Sequence, residues 1–351
     1  MNTRTHQRKS NEALLNKTLA YCRELSVKRM HTIIPDREPR GTLYDLMIEY
    51  PARDGKGLRP ALCLSACQVF GGTIESCLNS ATAIELYHNS FLVHDDLEDG
   101  STHRRGKPTL WVEHGMPVAV NVGDGLMVMA VKPLINNIEF IGVEKTFRVM
   151  REIVNMAQYS AEGQAIELGW VRDNHWVLTE RDYLLMCLKK TCWYTCMTPC
   201  RVGAIIAGAS WPHVLAFNQI GYHLGIAFQI QDDILNLVGD EGLYGKESAG
   251  DIWEGKRTLI LIHLLQNLTG RELEKTVHIL SLPREAKEPQ DVYWILQKMH
   301  DMGSIEYAKK FAYQYALICE ERLEKLLAGI SPSIHADFLR EVVYYVIERD
   351  L

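Results

Sequence analysis

The stretch TIESCLNSATAIELYHNSFLVHDDLED, residues 73–99, decides the fold class. Its apolar residues recur every three or four positions, which is the periodicity of an α-helix and not the alternation of a strand. The stretch is mostly apolar as far as His94, and four acids then follow within the five residues 95–99. The pattern therefore predicts a long buried helix that ends in a cluster of negative charge.

Most other apolar segments show the same helical spacing, and strand-like stretches are scarce. Clusters of Gly, Pro and Asp interrupt them at 35–41, 100–108 and 239–251. The pattern predicts an all-α bundle of roughly ten or more helices. Besides 73–99, the clearest predicted helices cover 11–30, 58–70, 115–138, 143–169, 179–209, 213–238 and 304–330.

Composition indicates a globular protein that does not bind nucleic acid. The 351 residues are 47% hydrophobic and 23% charged, with a formal net charge of -6, whereas a nucleic-acid surface is usually basic. No linker divides the chain, so we expect one domain over 1–351, with a flexible N-terminus at 1–10. No apolar run reaches the ~20 residues of a membrane span, and no secretory signal is evident. We therefore expect a cytoplasmic protein whose nine cysteines are reduced.

The acids at the end of the 73–99 segment suggest a metal site. If the helix continues through Asp99, then Asp95, Asp96 and Asp99 share one face, because they are three and four residues apart. A hard cation such as Mg²⁺ would relieve their mutual repulsion, since it prefers carboxylate oxygens, water and phosphate. A solvated helix end explains this cluster equally well when it is taken alone.

A second acid cluster favours the metal interpretation. The stretch GIAFQIQDDILNL, residues 225–237, places Asp232, Asp233 and Asn236 at the same spacing near the end of another apolar helix. Two such helices predict a shared cavity with metal ligands on opposite walls. A carboxylate pair for glycoside hydrolysis is the weaker alternative, because it requires neither paired acids on each side nor basic residues around them.

Basic residues flank both acid clusters. Arg guanidinium groups and Lys ammonium groups, together with Mg²⁺, commonly bind diphosphates. Any one of these residues could instead be a surface ion-pair partner. The stretch GKGLRP, residues 55–60, is not a Walker loop, so nucleotide hydrolysis is not predicted. The flanking basic residues are Lys56, Arg59, Arg104, Arg105, Lys190, Lys246 and Lys256.

With these motifs the chain resembles the trans-isoprenyl diphosphate synthases of the polyprenyl synthetase family, in particular the short-chain geranylgeranyl and farnesyl diphosphate synthases. DDLED at 95–99, followed by RRGKPT, is similar to the first aspartate-rich motif of the family, DDxxD. GKGLRP resembles its GGKRxRP element, and GIAFQIQDDILN resembles its second aspartate-rich motif. The likeness is strongest over 56–256. Two positions depart from the pattern: Glu167 replaces the Asp of GQxxD, and Asn236 replaces the last Asp of the second motif.

The resemblance implies an isoprenoid synthase-type bundle of helices around a deep central cavity, assembled as a homodimer. It implies head-to-tail condensation of isopentenyl diphosphate with an allylic diphosphate, with about three Mg²⁺ ions per site. Ionisation of the allylic C–O bond would be helped by positive charge on the leaving diphosphate, and a dry cavity would protect the resulting cation.

The resemblance also implies roles for individual residues. The residues implied to bind Mg²⁺ are Asp95, Asp96, Asp99, Asp232 and Asp233. The allylic diphosphate would contact Arg104, Lys190, Gln229, Lys246 and Lys256. Isopentenyl diphosphate would contact Lys56, Arg59, His88 and Arg105, with Arg349 assisting. The implied catalytic set is Lys190, Thr191 and Gln229, in which Lys190 stays with the phosphate and the other two offer oxygen dipoles to the cation.

Two residues before the first motif are predicted to set product length. A helix rises about 5.4 Å per turn, so Phe91 and Ser90, four and five residues before Asp95, could form a floor under the growing chain. In the family, bulky residues at these two positions shorten the product. One aromatic and one small residue therefore predict geranylgeranyl diphosphate, with farnesyl diphosphate second. The alternative is that Phe91 only packs the core and another helix sets the depth.

Two other functions stay open at this point. A class I terpene cyclase also ionises an allylic diphosphate, but it binds no second diphosphate, so Lys56, Arg59, His88 and Arg105 favour condensation. A non-catalytic subunit that modulates a synthase would be free to lose its acids, and here both clusters are intact.

Overall fold

The computed structural model describes residues 2–53, 55–239 and 249–348, with side chains from residue 12 onward, and it confirms the all-α class. Two segments are π-helical, Arg40–Tyr44 and Leu188–Met197, and Arg284–Ala286 forms a 3-10 turn. Strands β1 (His103–Arg104) and β2 (Lys107–Pro108) form a short antiparallel hairpin. The α-helices are α1 (Asn2–Ile33), α2 (Asp45–Ala52), α3 (Leu58–Val69), α4 (Ile74–Glu98), α5 (Leu110–His114), α6 (Met116–Asn136), α7 (Ile138–Arg172), α8 (Glu180–Cys187), α9 (Thr198–Ala207), α10 (Trp211–Val238), α11 (Gly250–Glu254), α12 (Leu259–Asn267), α13 (Gly270–Ser281), α14 (Pro289–Asp301), α15 (Ser304–Leu327) and α16 (Ile334–Glu348).

The helix predicted over 73–99 is α4. Its N-terminus is capped by Thr73, whose hydroxyl oxygen accepts a hydrogen bond from the Ser76 N–H, as expected of a Thr N-cap. The helix ends at Glu98, with Asp99 as its C-cap. The first acid cluster therefore lies on the last turn of α4, as predicted.

Two other helices differ in detail from the prediction. The single helix expected over 179–209 is divided into α8, the π-helical segment Leu188–Met197 and α9. Helix α1 is described from Asn2, ahead of the predicted start at residue 11. The flexibility expected of residues 1–10 and the single-domain organisation stay predictions.

The two acid-bearing helices run through the centre of the molecule. In α4, Ile84 packs in a core with α3, α9 and α15, while Val93 packs in a second core with α2 and α6. In α10, Phe217 belongs to the first of these cores and Ile230 to a third core that includes α12 to α15. Because α4 and α10 are held on several sides, their acidic ends are fixed relative to each other.

One helix of the described residues, α6, is long and apolar enough by length and composition alone to cross a membrane. Its most apolar 18-residue window has a mean hydropathy of 1.5, and 39% of that window is buried in the protein. The helix packs against α4, α5 and α7. These contacts hold one side of α6 against the bundle, and the expectation of no membrane span stays a prediction.

Candidate active site

A cavity of about 760 Å³ lies where the acidic ends of α4 and α10 face each other. Among the described residues, Asp96, Asp99 and Ser90 of the predicted set are not part of its lining. Lys246 and Arg349 lie outside the residues that the structure describes. The predicted residues that do line the cavity are Lys56, Arg59, His88, Phe91, Asp95, Arg104, Arg105, Lys190, Thr191, Gln229, Asp232, Asp233 and Lys256.

Asp95 and Asp96 are adjacent in sequence but have different environments. Asp95 lines the cavity, where its Oδ2 accepts a hydrogen bond from Arg104 Nη2 at 3.1 Å and its Oδ1 lies 3.5 Å from Lys190 Nζ. Asp96 is fully buried and accepts hydrogen bonds from the Tyr50 hydroxyl at 2.5 Å and from Arg104 Nε at 2.6 Å. Both oxygens of Asp96 are therefore engaged by protein groups, and its contacts hold Arg104 in place.

Asp99 links the first acid cluster to the loop after α11. Its Oδ2 accepts a hydrogen bond from Lys256 Nζ at 2.7 Å, and the same ammonium lies 2.9 Å from Glu254. Burial raises the pKa of Asp99 to about 7, although the charge of Lys256 opposes this shift. Lys256 therefore reaches the cavity already paired with acids on α4 and α11.

The second acid cluster is linked to two predicted catalytic residues. Asp232 lines the cavity, and the more deeply buried Asp233 accepts hydrogen bonds from the Tyr183 hydroxyl at 2.7 Å and from Gln229 Nε2 at 2.8 Å. Gln229 Oε1 accepts from the Thr191 hydroxyl at 2.6 Å. Burial raises the pKa of Asp233 to about 7. Thr191, Gln229 and Asp233 thus form one chain of hydrogen bonds along the cavity wall.

Lys190 owes its place to a glycine on α7. A Cβ atom at Gly163 would lie 2.2 Å from the backbone N of Lys190, so only glycine lets α7 approach the π-helical segment this closely. The ammonium of Lys190 pairs with Glu167 and faces Asp95. Burial alone would lower the pKa of Lys190, but these two carboxylates raise it, so the ammonium stays charged. Glu167, the departure from GQxxD, thus still supplies a carboxylate to the cavity.

The two cations of GKGLRP rest against tyrosine rings. The Arg59 guanidinium lies 4.3 Å from the ring centroid of Tyr194, and Arg59 Nη2 donates to the Thr195 hydroxyl at 2.8 Å. Lys56 Nζ lies 5.3 Å from the ring centroid of Tyr345 on α16. Both distances fall within the range of cation–π attraction.

Arg105 and His88 also line the cavity. Arg105 adopts a left-handed backbone conformation at φ 54°, which is uncommon for a residue other than glycine. It donates to the carbonyl oxygens of Tyr50 and Arg53 at 3.3 and 3.2 Å. Burial, together with the charges of Arg59 and Arg105, holds the pKa of His88 well below its usual range. His88 is therefore neutral, and its buried Nδ1 has no hydrogen-bond partner among the described residues.

Asp251 and Glu85 also line the cavity, although the sequence prediction did not single them out. The backbone N–H of Asp251, at the start of α11, donates to Asn236 Oδ1 at 2.9 Å. Asn236, which replaces the last Asp of the second motif, therefore holds Asp251 beside the cavity. The sequence signal for this residue was its place in GDIWEGK, residues 250–256, a stretch that follows the second acid cluster. Glu85 lies one turn before Asn89 on α4, and burial raises the pKa of its carboxyl group. No local pattern distinguished it from other helix residues.

The predicted chain-length residues face different surroundings. Phe91 lines the cavity and packs edge-on against Tyr194, with ring centroids 5.6 Å apart. Ser90 is fully buried between α4 and α6, where its hydroxyl donates to the Gly123 carbonyl oxygen at 2.8 Å. Phe91 is thus in direct reach of a ligand, whereas Ser90 acts on the cavity only through the spacing of α4 and α6.

Comparison with known proteins adds to this geometry. The profile of the polyprenyl synthetase family matches residues 41–299. The chain is 31% identical to a short chain isoprenyl diphosphate synthase of Methanothermobacter thermautotrophicus, over 93% of this chain and 96% of that protein. The crystal structure of a geranylgeranyl pyrophosphate synthetase from Pyrococcus horikoshii superposes with a TM-score of 0.84 at 31% identity, covering 97% of this chain and 99% of that one. A polyprenyl synthase from Caulobacter crescentus, complexed with calcium and isoprenyl diphosphate, superposes with a TM-score of 0.83 at 25% identity, covering 97% of each chain.

Proposed function

This chain belongs to the polyprenyl synthetase family and is a short-chain prenyltransferase, and from that premise we propose that it condenses isopentenyl diphosphate head-to-tail with an allylic diphosphate. The observation that carries the proposal is that Asp95 of α4 and Asp232 of α10 line one cavity together with two groups of basic residues. Acids on two walls of the cavity can bind the metal ions of one diphosphate. Basic residues beyond those needed for that diphosphate can bind a second one.

The two cation groups differ in their surroundings, which supports two distinct diphosphate sites. Arg104, Lys190 and Lys256 lie beside the acids, and we assign them to the allylic diphosphate. Lys56 and Arg59, which lie against tyrosine rings, line the same cavity with His88 and Arg105, and we assign these four residues to isopentenyl diphosphate. A terpene cyclase has no use for the second group, so condensation is the better explanation.

We propose Mg²⁺ as the cofactor, since the donors of the cavity are carboxylate oxygens, the ligand type that Mg²⁺ prefers. Asp95, Asp232, Asp233 and Asp251 line the cavity, and Asp99 is hydrogen-bonded to Lys256, which also lines it. We assign Asp96 to holding Arg104, because Tyr50 and Arg104 engage both of its oxygens. When bound, about three Mg²⁺ ions would neutralise the allylic diphosphate and polarise its C–O bond. The calcium complex of the Caulobacter relative is consistent with a divalent metal here.

The protein's own groups would then act at defined places. The Lys190 ammonium and the Arg104 guanidinium stabilise negative charge on the leaving diphosphate, because they are fixed in place before the bond breaks. Thr191 and Gln229, which are hydrogen-bonded to each other on the cavity wall, would offer oxygen dipoles to the allylic cation. The Phe91 ring and its apolar neighbours exclude water from that cation. The departing diphosphate accepts the final proton, so no protein base is required.

We propose geranylgeranyl diphosphate as the product, with farnesyl diphosphate second. Phe91 limits the cavity one helical turn below Asp95, while the small Ser90 leaves α4 and α6 in close contact behind it. The Pyrococcus protein that superposes on this chain is a geranylgeranyl pyrophosphate synthetase, which is consistent with this length.

We propose that the enzyme is a cytoplasmic homodimer that pairs through α6 and α7. Nine large apolar side chains on these helices are exposed, an unusual amount for a monomer surface. Light scattering of the purified protein would test this assembly, with a single-chain mass as the contradicting result. The exposed residues are Met116, Val120, Val128, Ile135, Ile138, Phe140, Val143, Phe147 and Val154.

Release of inorganic diphosphate tests the reaction directly. The enzyme is incubated with Mg²⁺ and an allylic diphosphate, with or without isopentenyl diphosphate, and released diphosphate and prenyl products are quantified. Condensation requires release only when both substrates are present. Release from the allylic substrate alone would identify a cyclase, and no release in either case would identify a non-catalytic subunit.

A further inference from the structure

The cations of the cavity are held in two chemically different ways. On the allylic side, Arg104, Lys190 and Lys256 each pair with a carboxylate. On the isopentenyl side, Lys56 and Arg59 lie over tyrosine rings instead. Within the described ranges, no carboxylate oxygen forms an ion pair with either of these two side chains. A carboxylate partner would compete with an incoming diphosphate, whereas a ring face orients a cation without neutralising it.

The ring that contacts Lys56 comes from the last described helix of the chain. Tyr345 lies on α16, and the neighbouring Val342, Val343 and Val346 are buried in the core. Helix α16 packs against α3, the helix that begins directly after GKG and carries Arg59. The Tyr345 ring is therefore attached to a rigid element, while Lys56 lies in the loop before α3 on a side chain with four rotatable bonds.

We infer that Tyr345 is a positioning residue for isopentenyl diphosphate: its ring holds the Lys56 ammonium at the cavity wall, ready to meet the diphosphate. The inference rests on the proposed function, which assigns Lys56 to that substrate. Ordering a lysine side chain has an entropic cost, and a ring that orders it in the free enzyme removes part of that cost from binding. A partly exposed cation–π contact corresponds to about a two- to fivefold effect on affinity.

The test compares Tyr345→Leu with Tyr345→Phe, and uses Tyr344→Leu as the matched control. Tyr344 is the preceding residue of α16, but it is 38% exposed and its hydroxyl donates to Glu320 on the outer surface. Steady-state kinetics give kcat and the KM of each substrate, and calorimetry in the presence of EDTA gives the Kd of isopentenyl diphosphate alone. Thermal melting establishes that each variant is folded.

Tyr345→Leu is expected to raise the KM and the Kd of isopentenyl diphosphate about two- to fivefold, with the allylic KM unchanged. Tyr345→Phe keeps the ring and should match the wild type, as should Tyr344→Leu. A Phe variant as weak as the Leu variant, an equal rise in both KM values, or a lower KM for isopentenyl diphosphate would each overturn the inference. Absence of product from the wild type with both substrates would instead overturn the proposed function.

Discussion

Replacing Phe91 with Ala should lengthen the product by about one five-carbon unit. Phe91 precedes Asp95 by four residues, which places it about 6 Å further along the α4 axis at 1.5 Å per residue. One isoprene unit is about as long as one helical turn, about 5.4 Å. Because the ring lines the cavity at that depth, its removal should open room for one further condensation.

The variant should remain folded. The Phe91 ring packs against two aromatic neighbours, Tyr194 at 5.6 Å and Tyr87 at 6.1 Å between centroids. Aromatic pairs contribute about 0.5–1.5 kcal/mol each beyond the burial of their area, and replacing a core Phe by Ala typically costs about 3–5 kcal/mol in total. Phe91 is only partly buried and lines the cavity, so its replacement should cost less than that core value, whereas about 5–15 kcal/mol typically separates the native and unfolded states.

The assay is chromatography of the dephosphorylated alcohols made from an allylic diphosphate and labelled isopentenyl diphosphate, for the wild type, Phe91→Ala and Ser90→Ala. Ser90→Ala removes only the hydroxyl that bonds to Gly123, so it should leave product length unchanged. An active Phe91→Ala enzyme with an unaltered product distribution would refute the assignment of Phe91 as the floor, and another helix would then set the depth.

Three further predictions concern the acids, the isopentenyl end and the assembly. Asp95→Ala and Asp232→Ala should each lower kcat by about a hundredfold or more, while their melting temperatures stay close to that of the wild type. Near-normal turnover with Mg²⁺ in either variant would contradict a metal site formed by the acids of both α4 and α10. Because burial holds the pKa of His88 below its usual range, its proton binds more readily in the unfolded chain, so pH titration of unfolding should show this contribution to stability falling below about pH 6.5. His88→Gln should remove this pH dependence, and a wild-type-like pH profile in that variant would contradict the neutral imidazole. Phe147→Asp, on the exposed face of α7, should yield a single-chain mass by light scattering, and a retained dimer would place the interface elsewhere.

Sequence periodicity was sufficient to place the acids at the ends of helices. In α4 and α10 the apolar spacing continues up to the acids, so the helix assignment and the position of the charges follow from one pattern. The direction of each carboxylate did not follow from it. Asp96 shares a helical face with Asp99 by spacing, but Tyr50, 46 residues earlier in the chain, draws it away from the cavity.

Two cavity residues that the sequence did not reveal, Asp251 and Tyr345, depend on contacts between distant segments. Asp251 reaches the cavity because Asn236 holds its backbone N–H, and Tyr345 does so because α16 packs on α3. The π-helical segment likewise has an ordinary helical composition, so nothing local marks its wider turns. Such features arise from how segments pack, which hydrophobic patterning does not encode.

The π-helical segment Leu188–Met197 has a consequence for how the enzyme tolerates insertions and deletions. Its i→i+5 hydrogen bonds enclose one more residue than α-helical bonds do, and it joins Lys190, at the cavity, to α9, where a Cβ at Gly203 would lie 2.2 Å from the carbonyl oxygen of Cys63. Deleting one residue from an ordinary α-helix rotates everything after it by about 100°, but here a return to α-helical winding would absorb the deletion and keep Lys190 and α9 in their present orientations. An inserted residue has no such compensation, so either the lysine would leave the cavity or α9 would lose its close packing on α3. A single deletion in this segment should therefore be tolerated better than a single insertion.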